Sequence, residues 1–300
     1  MSDAALIRLD HVLVAVRDLD AAAESTALLL GRRPSWRGVH PELGTANALF
    51  RVANTYLELL ASEGQGAIGA ELERILAERG EGLLGLAFGT DDVAASAAAL
   101  RARGLPVLDP RPGEGRDIET GAVRRWRNAL VSPEASRGAW IFAIEHESPA
   151  DALPLREPDA DPDGAVAALD HVVVMSPDIE AARALYGEGL GLRLALDRSF
   201  EARGARILFF RVGGATVEVS GRLGAKPAPH APDRLWGLAW QVPDAGAAQK
   251  RLAAAGFDVS ELRDGFKPGT RVFSVRGEPC GVATLVIEPT GGLPKAGAQH

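Results

Sequence analysis

Cysteine is nearly absent from the 300-residue sequence, which contains only Cys280, and aromatic residues make up just 5% of it. A single cysteine excludes an internal disulfide and any zinc site or cluster built from several thiolates. Basic residues are also few: 33 lysines and arginines stand against 40 aspartates and glutamates, a formal net charge of −7 at pH 7. Since binding to nucleic acid or to an anionic membrane requires a basic face, neither partner is expected.

Long apolar runs are missing as well. None approaches the roughly 18–20 residues that span a bilayer, and the N-terminal residues MSDAALIRLD lack the basic and apolar segments of a signal peptide. Neither a GxGxxG nor a P-loop pattern occurs, so no nucleotide cofactor is expected. With 46% apolar and 24% charged residues, the sequence predicts a soluble, cytoplasmic protein of about two domains.

The chain repeats itself. Residues 9–16 read LDHVLVAV and residues 169–174 read LDHVVV, and 160 residues separate His11 from His171. The same offset relates three further pairs without a gap: Gly31 and Gly191, Arg51 and Arg211, and Glu58 and Glu218. A second repeat relates GLAFGTDD at 85–92 to GLAWQVPD at 237–244, at an offset of 152. Each half of the chain is therefore predicted to contain two different units, both of which recur in the other half.

Each unit has the pattern of a strand, a helix and about three strands. Residues 11–16 alternate in hydrophobicity as a strand does. Asp18 is placed as an N-cap before the alanine-rich run 20–30, and Gly31 is a helix stop. The other elements predicted in the first half are strands at 48–52, 55–61, 84–89, 128–132 and 139–146 and a helix at 91–103.

The predicted fold class is α+β, with four βαβββ units forming two tandem domains. The first domain covers 1–147 and the second covers 168–289. Between them, 148–167 is rich in proline and acidic residues and is interpreted as an exposed linker. Residues 290–300 are interpreted as a frayed tail.

Four βαβββ units paired by duplication resemble the vicinal oxygen chelate superfamily, which includes glyoxalase I, extradiol dioxygenases, methylmalonyl-CoA epimerase and bleomycin-resistance proteins. Within the first half, HPELGTANALFRVANTYLELLA at 40–61 is similar to a glyoxalase-like subgroup with a Gly-Thr-x-Asn segment before a Leu-Glu-Leu strand. The resemblance implies two tandem glyoxalase-like domains whose units curl into cups. In each cup a divalent metal is held by His or Gln on the first strand and Glu on the last strand of each unit, and acts as a Lewis acid on the substrate.

Residue by residue, the resemblance implies metal-ligand roles for His11, Glu58, His171 and Glu218. The other four ligand positions hold residues that do not bind metals: Gly85, Phe142, Gly237 and Leu285. The implied cofactor is therefore a divalent metal (Mn, Fe, Zn, Ni or Mg) with an incomplete ligand set, since protein metal sites usually have three or more protein ligands. An iron extradiol dioxygenase is disfavoured, because Gly237 stands where its second His is needed.

Three residues of the first half are candidate catalytic groups. Strand alternation puts Tyr56 and Glu58 on one face, and His11 lies on a strand that would line the same cup. Together they offer a hydroxyl donor, a carboxylate and a switchable imidazole. The candidate substrate-binding residues are His40, Thr45 and Asn47, from the segment that resembles the subgroup, and Arg211, one of several arginines suited to clamp a carboxylate or phosphate. His146 is interpreted as an exposed residue at a strand end.

Two functions remain open. One is an enzyme, a lyase, isomerase or hydrolase acting on a small oxygen-rich organic molecule, either metal-assisted or with Glu58 or Glu218 as general base. The alternative is a small-molecule binding protein of the bleomycin-resistance type, in which Gly85 and Gly237 leave room for a bulky ligand. Either protein would have a small-molecule partner and be a monomer or homodimer. The first half is the favoured site, because it alone carries the 40–47 segment and Tyr56.

Overall fold

A computed structural model describes residues 6–64, 66–159, 161–228 and 230–291. The strands of the first half are β1 (Arg8–Ala15), β2 (Trp36–His40), β3 (Thr45–Arg51), β4 (Tyr56–Ser62), β5 (Gly82–Gly89), β6 (Arg111–Asp117), β7 (Val123–Leu130) and β8 (Trp140–His146). Its helices are α1 (Leu19–Leu30), α2 (Ala67–Arg79) and α3 (Val93–Ala102). No helix in the described ranges is long and apolar enough to cross a bilayer.

The second half repeats this order of elements, and its described residues include no counterpart of α2. Its strands are β9 (Ala168–Met175), β10 (Arg193–Phe200), β11 (Ala205–Val212), β12 (Ala215–Arg222), β13 (Arg234–Gln241), β14 (Arg263–Asp264), β15 (Arg271–Val275) and β16 (Ala283–Glu288). Its helices are α4 (Ile179–Arg183), which continues as a π-helical turn over Ala184–Gly189, and α5 (Ala245–Ala254).

Aspartate N-caps begin the helix of every unit, as the repeat predicts. The caps are Asp18, Asp92, Asp178 and Asp244, and each side chain accepts hydrogen bonds from the first turn of its helix. Helix α1 ends at Gly31, which has φ of 69° and donates its N–H to the Ala27 carbonyl. Local sequence signals therefore fix where these helices start and, for α1, where it stops.

The first half is a closed barrel with the strand order β1-β4-β3-β2-β6-β7-β8-β5. Strand β1 pairs in parallel with β4, where His11 lies opposite Tyr56, and antiparallel with β5, where His11 lies opposite Ala87. The ring is completed by a short β2–β6 contact in which Val39 pairs with Arg116. The two units of the first half therefore pair with each other.

The second half is an open eight-stranded sheet in the order β10-β11-β12-β9-β13-β16-β15-β14. Strand β9 has the register of β1: His171 lies opposite Thr216 on β12 and opposite Ala239 on β13. The predicted fold class of two tandem domains is confirmed, and the repeated histidines lie on equivalent strands. The largest apolar cluster includes residues of both halves, among them Leu59 and Trp240.

Two segments differ from the sequence expectations. Helix α2 was not anticipated; Leu72, Ile75 and Leu76 are buried at helical spacing and pack against Leu13 and other residues inside the barrel. The 148–167 segment is not exposed throughout: Leu153 is buried with Trp36, Leu49 and Tyr56. A single buried apolar residue such as Leu153 produces no periodic pattern. The proline-rich and acidic composition of the segment therefore predicts an exposed linker.

Candidate functional site

The first-half barrel encloses a buried polar network around Glu58. One carboxylate oxygen, Oε1, accepts a hydrogen bond from Asn47 Nδ2 at 2.8 Å. The other, Oε2, lies 3.3 Å from Nε2 of His11, and the two side chains are 11% and 3% exposed. Strands β1, β3 and β4 are neighbours in the barrel, so their inward-facing residues meet here.

Asp10 fixes the orientation of His11. Its Oδ1 lies 2.9 Å from His11 Nδ1 and 3.0 Å from His146 Nε2. Consecutive strand residues normally face opposite ways, but the β1–β5 register shifts between Leu9 and His11, and this bulge turns Asp10 towards the histidine. Burial alone would raise the pKa of Asp10, yet hydrogen bonds from His11 and His146 hold it well below its usual value. Asp10 is therefore an ionised acceptor.

His11 and Glu58 lie within ion-pair distance of each other. With Nδ1–H of His11 donated to Asp10, Nε2 of a neutral imidazole would present its lone pair to Glu58 Oε2. The pair therefore places an imidazole nitrogen and a carboxylate oxygen 3.3 Å apart. These are two of the groups that most often act in acid–base chemistry.

His40, Thr45 and Asn47 extend the network. His40 Nδ1 lies 2.9 Å from Thr45 Oγ1, and Nε2 lies 3.4 Å from Asn47 Nδ2. Burial lowers the pKa of His40, so its imidazole is neutral near pH 7. Asn47 Oδ1 is buried and has no hydrogen-bond partner among the described residues. An orphaned acceptor of this kind is suited to the hydroxyl of a bound molecule.

Tyr56 and Arg124 form the opposite side of the network. The Tyr56 ring stacks on His11 with centroids 4.5 Å apart, and burial raises the pKa of Tyr56 well above its usual value, so the phenol is neutral. Arg124 hydrogen-bonds Tyr56 and lies over the rings of Trp36 and Tyr56, 5.5 and 5.9 Å from their centroids. The residue is 7% exposed, and within the described ranges it forms no ion pair with a carboxylate. Its charge is balanced only by weaker contacts, which suits it to an anionic ligand.

The second half carries a looser copy of this arrangement. His171 Nδ1 lies 2.7 Å from Asp170, and its Nε2 lies 3.7 Å from Glu218 Oε2. Burial would lower the pKa of His171, but the Asp170 hydrogen bond and the Glu218 charge raise it, whereas burial raises the pKa of Glu218. Both side chains are partly exposed, at 16% and 18%. Arg211 is exposed on β11, opposite Thr216 in the register.

The candidate residues of the first half come together in one network: His11, His40, Thr45, Asn47, Tyr56 and Glu58. Arg211 lies apart from them in the other half. Sequence reasoning missed Asp10 and did not separate Arg124 from its arginine neighbours. For Asp10 a signal existed, because aspartate precedes histidine in both repeats. The interpretation of His146 as an exposed strand-end residue is wrong: it is partly buried against Asp10.

Neither cup fits a divalent metal held by protein side chains. In the part of the chain that the structure describes, no three His, Cys, Asp or Glu side chains are grouped as ligands. A Cβ atom at Gly85 would overlap the Trp140 carbonyl, and one at Gly237 would lie 2.7 Å from that of Ala283. The sequence analysis expected these glycines to leave room for a bulky ligand. Instead, they allow the paired strands to approach each other closely. Phe142 presents its ring to His11 at 5.6 Å, where the resemblance would place a ligand.

Two family models match the chain. A glyoxalase-like domain matches residues 9–167, and a model described as glyoxalase/bleomycin resistance protein/dioxygenase superfamily matches residues 170–273. Together they cover both halves, and the first alone covers more than half of the chain.

Solved structures share the fold. A triple mutant of 4-hydroxymandelate synthase from Streptomyces coelicolor is 18% identical, with a TM-score of 0.68 over 97% of this chain and 94% of that chain. A hypothetical protein from Staphylococcus aureus is 12% identical, with a TM-score of 0.63 over 93% and 98%. A methylmalonyl-CoA epimerase from S. coelicolor is 30% identical over 48% of this chain and 100% of its own, with a TM-score of 0.40. No curated protein matches. At these identities the first two structures establish the tandem architecture alone.

Proposed function

The chain belongs to the vicinal oxygen chelate superfamily, and within it we propose an enzyme that moves a proton on a small hydroxylated carbonyl compound, as an isomerase or lyase, in the first-half barrel. The observation that carries this proposal is the His11–Glu58 pair, whose Nε2 and Oε2 atoms lie 3.3 Å apart near the buried Arg124, which has no carboxylate partner among the described residues. A base and a fixed positive charge are the two groups that enolate chemistry requires.

Glu58 is the proposed base. Its Oε2 removes a proton from the carbon next to the substrate carbonyl, while Asn47 holds Oε1 in place by its 2.8 Å hydrogen bond. The C–H electron pair forms the C=C bond of the enolate, the C=O π pair moves to the carbonyl oxygen, and the proton stays on Glu58 until it returns to another atom. In isomerisation the substrate hydroxyl proton passes to the former carbonyl oxygen, and the proton on Glu58 is returned to the former carbonyl carbon. In elimination the carbonyl re-forms as the bond from the next carbon to its oxygen breaks, and that oxygen takes the proton from Glu58. Asp10 stabilises the imidazolium of His11 whenever Glu58 is the charged partner.

Arg124 is the proposed binder of the developing oxyanion. The resemblance to the superfamily implies a metal as the source of this charge. The described side chains of the first-half barrel, however, do not form a set of metal ligands. A guanidinium in a site shielded from water stabilises an oxyanion strongly, because no solvent screens it. Tyr56, kept neutral by burial, is a hydroxyl donor beside the same oxygen, and Asn47 Oδ1 accepts from a substrate hydroxyl.

The proposal is tested by deuterium exchange followed by proton NMR. The full-length protein is incubated in D2O with small 2-hydroxy aldehydes, 2-hydroxy ketones and 2-oxo acids, and the C–H signal next to each carbonyl is followed against a reaction without protein. Exchange above that background is expected for at least one compound. Glu58→Gln should lower it by at least about a hundredfold, whereas Glu218→Gln, the same change at the equivalent position, should leave it within about threefold.

Two results would contradict the assignment. Loss of exchange in Glu218→Gln, with Glu58→Gln active, would move the reaction to the second half. Saturable binding of these compounds without exchange in any of them would instead favour the binding-protein alternative, which the orphaned Asn47 Oδ1 and the buried Arg124 charge also suit.

A further inference from the structure

The two sheets differ in how their ends meet. In the first half β2 pairs with β6 and closes the ring. In the second half the equivalent strands β10 and β14 are the two free edges of the sheet. Side chains bridge that gap instead: the rings of Phe200, at the end of β10, and Phe266, just after β14, make an edge-to-face contact with centroids 5.0 Å apart.

Two arginines contact the Phe200–Phe266 ring pair, which is called the aromatic bridge below. The Arg198 guanidinium carbon lies 5.1 Å from the Phe200 centroid and 5.3 Å from that of Phe266. For Arg203 the corresponding distances are 5.7 and 5.5 Å. The rings therefore hold both guanidiniums close together by cation–π contacts. Neither arginine forms an ion pair with a carboxylate in the described ranges, although Arg203 is near enough to Glu218 for its charge to lower the pKa of that carboxyl, against the larger effect of burial.

Apolar side chains of β10 and β11 lie near the bridge. By register Arg198 lies opposite Ile207, in the same row as Ser220 on β12. In the next row Leu196, which is 47% exposed, lies opposite Phe209. Leu196 and Phe209 therefore give this part of the sheet apolar surface that an organic group can contact. The charged bridge and an apolar floor therefore adjoin one another.

We propose that the second half binds a small organic dianion, a phosphate monoester or a dicarboxylate, between the Arg198 and Arg203 guanidiniums, with its organic part against Leu196 and Phe209. Each guanidinium offers paired N–H donors that match two oxygens of a phosphate or carboxylate, so two of them together favour two negative charges over one. The phenyl rings fix the guanidiniums before the ligand arrives, which reduces the loss of side-chain entropy on binding. This site is separate from the first-half barrel and does not rest on the reaction proposed there.

Isothermal titration of the full-length protein at low ionic strength tests the site. The probes are phenyl phosphate for the phosphate class, succinate for the dicarboxylate class, and acetate as a monoanion. At least one dianion should bind saturably and at least about tenfold more tightly than acetate. The class that binds identifies the anionic group that the bridge recognises.

Variants locate the binding. Arg198→Gln combined with Arg203→Gln should weaken the dianion at least tenfold, and Phe266→Ala at least threefold, because the exposed ring no longer holds the guanidiniums. Arg276→Gln is the matched control: this arginine is exposed, already paired with Asp258, and lies at the far end of β15. The proposal is overturned if neither dianion saturates by about 20 mM. It is equally overturned if the double variant binds within threefold of the unchanged protein.

Discussion

Asp10 accepts a hydrogen bond at 2.9 Å from Nδ1 of the residue that follows it, His11, although consecutive residues of a strand normally face opposite ways. A register shift at this point brings the two side chains together, and the same shift recurs at Asp170 and His171, where the distance is 2.7 Å. Both copies also place a glutamate near Nε2 of the histidine. The duplicated feature is thus a bulge with an aspartate, a histidine and a glutamate, not a histidine and a glutamate alone.

Asp10→Asn should destabilise the protein in a pH-dependent manner. Since the folded-state pKa of Asp10 lies below its unfolded value, its stabilising contribution is fully present above about pH 4 and is lost as the pH falls through the folded-state pKa. The variant should therefore lose about 2 kcal/mol of unfolding free energy at pH 7, and the difference should shrink below about pH 4. Urea unfolding across that range measures it. A pH-independent difference would mean that the carboxylate charge is not what stabilises the site.

Gly85→His should not restore a metal site. The new Cβ would overlap the Trp140 carbonyl on the paired strand, so the backbone would have to move. We expect a loss of about 3 kcal/mol of unfolding free energy and no stabilisation by added Zn²⁺ or Mn²⁺. Gly115→Ala is the control, because its nearest contact, the His40 ring, is at 3.4 Å. A stable variant whose melting temperature rises on metal addition would show that the strands can separate at this position.

The repeat offset was enough to predict the duplication of the fold, because duplicated strands of the same register must occupy equivalent places. Alternation likewise placed Tyr56 and Glu58 on one face, and the structure has them there. Asp10 could not be predicted in the same way, because a bulge breaks the alternation on which the prediction depends.

The sequence did not identify Arg124 as a site residue, and the reason is different. Three arginines stand at 124, 125 and 127, and a strand periodicity separates faces without indicating which face is covered. The covering elements, α2 and the turn that contains Leu153, carry only a few apolar residues each, and no local pattern places them inside the barrel.

Leu153→Ala should loosen the cover of the first-half site. The side chain is buried with Trp36, Leu49 and Tyr56, so its removal leaves a cavity and should cost about 2–4 kcal/mol of unfolding free energy. If this turn controls entry, the deuterium exchange of a small substrate should become faster at the same time. Leu155→Ala changes an exposed leucine of the same segment and should alter neither quantity. Slower exchange in Leu153→Ala would indicate that Leu153 shapes the site and does not merely cover it.

Arg124→Met should separate function from stability. The guanidinium is buried without a carboxylate partner among the described residues, so its desolvation is only partly offset by Tyr56 and Trp36. Methionine fills similar space without a charge, and we expect the unfolding free energy to change by less than about 1 kcal/mol or to rise. Proton exchange should nevertheless fall by about a hundredfold to a thousandfold, because the oxyanion loses its positive partner.

Arg125→Gln is the matched control for Arg124→Met. Its side chain is exposed on the same strand and pairs with Glu114 at 3.1 Å, so both exchange and stability should stay near those of the unchanged protein. A structural role for Arg124 predicts the reverse pattern: a protein destabilised by 3 kcal/mol or more, with exchange that recovers once folding is restored by low temperature. Measuring urea unfolding and exchange on the same samples distinguishes the two, since only a charge acting on the substrate lowers exchange in a fully folded protein.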